Sequence, residues 1–63
     1  MSLFPWLDRL APTAAEVRME IWRLGSRHRG EPLAGAEREL AGEGLAPERT
    51  ALLRACVRSL KRA

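Results

Sequence analysis

Apolar residues in this chain recur at intervals of three and four, in runs bounded by Pro and Gly, and no stretch alternates apolar with polar residues. That pattern suits helices with one buried face and leaves no candidate strand. The firmest helix start is Thr13-Ala-Ala-Glu16, a capping box in which the Thr13 hydroxyl accepts from the Glu16 N–H and the Glu16 carboxylate reaches back to the N–H of Thr13. From there Ala14, Val17, Ile21, Leu24 and His28 share one face, with Glu16, Glu20, Arg23 and Arg27 on the other. Gly25 weakens this helix near its end, and Gly30 is the expected left-handed cap, which places helix one at 13–29.

Glu31-Pro32 opens a second helix, with Pro in the first turn and an acid where the helix dipole favours one. Its stripe of Leu33, Ala36 and Leu40 is narrow, Gly35 weakens it further, and Gly42-Glu43-Gly44 ends it, giving 32–41. Pro47 and Glu48 begin a third helix at 47–62, whose broad apolar face holds Leu52, Leu53, Cys56, Val57 and Leu60. Before Thr13, Leu3, Phe4, Trp6, Leu7 and Leu10 lie between Pro5 and Pro12 within residues 1–12, which reads as a helical segment of one or two turns. The expected fold is all-α: a small three-helix bundle with a short N-terminal helical segment, spanning 1–63 as a single domain.

Length limits what such a bundle can do alone. A chain of 63 residues buries only about 60% of its unfolded surface, so its core needs disulfides, a metal, a partner or very regular packing. The single Cys56 excludes an internal disulfide, and with the single His28 it supplies no structural zinc set. No cofactor is expected. No run approaches the ~20 apolar residues of a membrane helix, and the first residues carry no secretory signal, so the expected setting is the cytoplasm with Cys56 reduced.

Nothing in the pattern points to catalysis, and the chain is not expected to be an enzyme. Cys56 lies mid-way along an apolar face and reads as a small buried hydrophobe. His28 reads as a packing or capping residue at a helix end. Ala41-Gly-Glu-Gly44 has neither a preceding strand nor a following Lys-Ser or Lys-Thr, so it is a turn rather than a phosphate loop.

Charge is more informative in its distribution than in its net value of +3. Residues 31–48 carry five Glu and one Arg, whereas 49–63 carry four Arg, one Lys and no acid. Arg54, Arg58 and Lys61 share a stripe on the third helix, either a solvated face or a docking strip for phosphates or an acidic protein surface. Helix one carries a second stripe of Ala15, Met19, Trp22 and Ser26. Met19 and Trp22, with Phe4 and Trp6, are either folded against one another or form an open patch for a partner or a second copy of the chain. The favoured expectation is a noncatalytic protein-interaction module, a small regulatory or accessory subunit, with Phe4, Trp6, Met19 and Trp22 as apolar anchors and Arg54, Arg58 and Lys61 as electrostatic guides.

The alternative rests on Arg38-Glu-Leu-Ala41, Gly44-Leu-Ala-Pro-Glu-Arg-Thr50 and a helix ending Arg58-Ser-Leu-Lys-Arg62, which together resemble a bacterial helix-turn-helix over about 25 residues. The turn is one residue short of that pattern, and Glu43 replaces the usual apolar residue before the turn glycine. The resemblance implies nucleic-acid binding, with Glu48, Arg49 and Thr50 facing base edges and Arg54 and Arg58 the backbone. Glu48 at the tip and the acidic helix before it oppose DNA electrostatically.

Overall fold

The computed structural model describes residues 11–62, which form α1 (Ala14–Arg27), α2 (Pro32–Leu40) and α3 (Pro47–Arg62). Each helix packs on the other two, so the architecture is a small all-α three-helix bundle. The N-terminal helical segment, with Phe4 and Trp6, lies outside the described residues.

Helix starts follow the sequence chemistry. Thr13 is the N-cap of α1, and its hydroxyl accepts from the Glu16 N–H at 3.1 Å. The second half of the expected box is replaced: the Thr13 hydroxyl donates to Glu16 Oε1 at 3.2 Å. Pro32 and Pro47 are the first residues of α2 and α3, where a missing N–H costs no helical bond. In α3, Glu48 in the first turn and Lys61 and Arg62 in the last complement the helix dipole.

The end of α1 differs from expectation. His28 is the C-cap, its N–H bonding Leu24 C=O at 2.9 Å, while the Gly30 N–H bonds Gly25 C=O at 2.7 Å. Gly30 has the expected left-handed backbone (φ 81°), but so does Arg29 (φ 54°), which helix one at 13–29 did not allow. A side chain in that region costs about 1–2 kcal/mol, and the paired carbonyls of the last turn offset it.

Among the described residues, four apolar ones are completely buried: Leu24 from α1, Ala36 from α2, and Leu53 and Cys56 from α3. Val17, Ile21, Leu40, Leu45, Leu52 and Val57 pack around them, partly buried. Gly35 and Ala36, both buried, let α2 lie close to its neighbours, and a side chain at Gly35 would overlap the His28 ring. At ~1.5–3 kcal/mol for each large side chain buried, so few contacts leave a thin margin over chain entropy.

Candidate protein-interaction surface

Helical geometry gives α1 two opposed faces. Val17, Glu20, Ile21 and Leu24 point into the bundle; Ala15, Met19, Trp22 and Ser26 lie about half a turn away and point outward. Met19 is 52% exposed and Trp22 69%, the two large apolar residues most open to water among those described. Along one edge of this stripe Glu16, Arg23 and Met19 line a shallow groove that continues to Leu52 of α3. Beyond the opposite edge, Arg18 of α1 and Arg58 and Arg62 of α3 line a groove together with Pro12, Ala14, Val17, Ala55 and Ser59. Arg54 and Arg58 continue this basic surface along α3 beside Thr50 and Ala51.

Among the described residues, no acid lies within 4 Å of the Arg18, Arg54, Arg58 or Arg62 guanidinium, whereas Lys61 Nζ stands 3.9 Å from Glu37 Oε2. The structure thus brings Met19 together with Trp22 and Arg54 together with Arg58. Lys61 faces an acid instead of extending their strip.

Between the helices lies a group of charged residues, of which periodicity placed Glu20 and Arg27 on the face of helix one opposite its apolar stripe. Glu20 is 2% exposed, and its carboxylate lies 3.1 Å from Arg27 Nη2 and 2.7 Å from Arg49 Nη2. The same two nitrogens reach Glu39, at 3.0 Å from Arg27 to Oε2 and 2.7 Å from Arg49 to Oε1, closing a ring of alternating charge across all three helices. His28 Nε2 donates to Glu39 Oε2 at 2.8 Å, since an ionised carboxylate only accepts. No buried side-chain nitrogen or oxygen among the described residues is left unpartnered.

The ring sets the ionisation of its members. Hydrogen bonding from His28, reinforced by Arg49 and Arg27, lowers the Glu39 pKa to about 2. Burial alone would raise that of Glu20, but Arg49 and Arg27 outweigh it and the pKa falls below the usual carboxylate value. Burial, aided by the Glu20 charge, pushes the Cys56 thiol up, so it stays protonated. Its sulfur sits 3.9 Å from the Val17 carbonyl, sealed in the core as the sequence suggested.

Arg49, which a helix-turn-helix would present to base edges, is therefore turned into the bundle and committed to Glu20 and Glu39. Among the described residues, no group of three or more His, Cys, Asp or Glu is placed to hold a metal ion, and no helix is long and apolar enough to cross a membrane. No protein-family model matches the chain. Comparison with curated proteins gave no match. Comparison with solved structures gave none either.

Proposed function

We propose that the chain is a noncatalytic interaction module that docks a protein on the outward face of α1, with the arginines of α1 and α3 guiding an acidic rim of the partner. The observation that carries this reading is the exposure of Met19 and Trp22, side by side and opposite the core. Trp and Met are enriched in interface centres, and hiding each from water is worth on the order of 1.5–3 kcal/mol. The chemically reactive side chains have other tasks: Cys56 is sealed and protonated, while His28 and Glu39 hold each other in place. In this reading Arg18, Arg54 and Arg58 act at longer range, raising encounter rates more than affinity.

The test is site-specific photocrosslinking in cells that make the protein, with the reactive residue at Ser26 in the exposed stripe and at exposed Ala34 on α2 as control. A protein adduct from Ser26 and none from Ala34 is expected. Adducts from neither position, or equally from both, would remove the reading.

A second reading, a nucleic-acid binder, draws support from one observation, the basic surface of Arg18, Arg54, Arg58 and Arg62 without a nearby described acid. It loses Arg49 as a base reader. Binding to duplex DNA should then be weak, insensitive to sequence and abolished by ~0.15 M salt; tight, sequence-selective binding at that salt would reverse the order of the two readings.

A further inference from the structure

The exposed stripe of α1 has the spacing of a helix-pairing seam. Ala15, Met19, Trp22 and Ser26 follow one another at intervals of four, three and four, the alternation by which two helices interlock side chains along a shared edge. The large residues are central and the small ones terminal, so a second helix can approach closely along about 16 Å of α1. Nothing else in the described bundle covers this face.

We propose that its occupant is a second copy of the chain, with the two α1 helices antiparallel about a twofold axis and Met19 of each against Trp22 of the other. This rests on the part of the interaction reading above that concerns the apolar stripe and names its occupant; the arginines of α3 take no part in this contact. In that register Ala15 of one copy opposes Ser26 of the other, and thioether meets indole twice, a favourable contact for both groups.

Charge selects this orientation. Glu16 and Arg23 border the stripe on one edge and Arg18 and Gly25 on the other. Antiparallel packing brings each Glu16 beside Arg23 of the other copy, two opposite-charge pairs by symmetry, and sets Arg18 beside Gly25 of the other copy, which carries no charge. Parallel packing would set Arg18 against Arg23 of the other helix on both sides, a repulsion with no compensating pair. Self-complementarity of one patch is what a twofold interface requires.

The dimer is reversible. Trp22, 69% exposed, offers on the order of 100–170 Å² per copy. A four-layer seam stays below the ~1,600 Å² of a standard stable interface, the size class of weak and transient association.

Sedimentation of the full chain over a concentration series should show a monomer–dimer equilibrium, and Trp22→Ala should weaken it at least tenfold while circular dichroism reports an unchanged helix content. Glu16→Arg and Arg23→Glu should each weaken self-association several-fold. The two variants mixed in equal amounts should recover it, because each then meets an opposite charge, and the double variant should recover it alone. Glu16→Gln, which keeps an acceptor at the helix start, gives the same direction of change without loss of the cap.

A wild type that stays monomeric to ~1 mM would overturn the proposal. So would a dimer in which the mixture shows no recovery. Crosslinking at Ser26 separates the two levels: an adduct with twice the mass of the chain supports the dimer, an adduct with a different protein overturns the dimer and leaves the interaction reading standing, and no adduct removes both.

Discussion

Replacing Arg49 by Met keeps an unbranched apolar stem and removes the charge, leaving Glu20 and Glu39 to share Arg27, with His28 still on Glu39 and the exposed Arg23 3.9 Å from Glu20. Glu20 cannot recover water, because its side chain is only 3% exposed, and losing one partner of a buried pair typically costs 3–5 kcal/mol. Arg49 and Glu39 retain some solvent contact, at 31% and 24% side-chain exposure, so the lower end of that range, about 3 kcal/mol, is expected. Against a total stability of roughly 3–9 kcal/mol for a domain of this size, the variant is close to its folding limit. Urea titration followed by circular dichroism measures the loss. Glu20→Met added to Arg49→Met leaves Arg27 paired with Glu39 and no stranded carboxylate, so the double variant should return to within ~1 kcal/mol of wild type. A single variant within ~0.5 kcal/mol of wild type, the behaviour of an exposed ion pair, would refute the view that the ring is buried in an energetic sense.

Four further outcomes follow from particular contacts. Thr13→Ala removes the acceptor for the Glu16 N–H and should cost about 1 kcal/mol in a denaturant melt. Gly25→Ala should gain ~0.5–1 kcal/mol, because the added methyl meets nothing closer than Pro32 Cδ at 4.0 Å and removes a helix-interior glycine. Gly35→Ala should lower the thermal midpoint and shift the His28 ring resonances, since the new methyl occupies the space of that ring. Stability should fall as pH drops from about 4.5 toward 2: Glu39 binds its proton near 2 when folded but near 4.5 when unfolded, so acid favours the unfolded chain. The loss is at most ~3 kcal/mol for a partly exposed carboxylate, and His28→Ala should move it to higher pH.

The helices were legible because their ends are chemically marked. Thr13, Pro32 and Pro47 stand where only a helix start accommodates them, and the structure begins each helix at or one residue after them. Leu24, Leu53 and Cys56 lie on their apolar stripes and are the largest fully buried side chains among the described residues. The ionic ring was not legible, because its members come from three helices, with Glu20 and Arg27 placed on the outer face of helix one and Arg49 read only as a residue facing base edges. A signal did exist, at the level of spacing. Glu20 lies four residues before Leu24, Arg49 four before Leu53, and Glu39 three after Ala36, so each charge shares a face with a residue of the core. Two acids and two arginines at such positions can neutralise one another, whereas a single charge there would have to be exposed.

The same ring bears on why the apolar stripe is outside at all. Helix α1 has two opposed apolar faces, and the outer one, with Met19 and Trp22, holds larger side chains than Val17 and Ile21 on the inner one. Burial of apolar area alone would therefore favour turning Trp22 inward. Such a rotation would carry Glu20 away from Arg49 of α3 and separate Arg27 from Glu39 of α2, stranding charges that now meet at about 3 Å. Hydrophobic contact is indifferent to direction, whereas an alternating ring of four charges closes in only one rotational setting of the helix. The outward stripe is then a consequence of the inward charges: in the double Met variant only the Arg27–Glu39 pair is left to hold α1 in this setting.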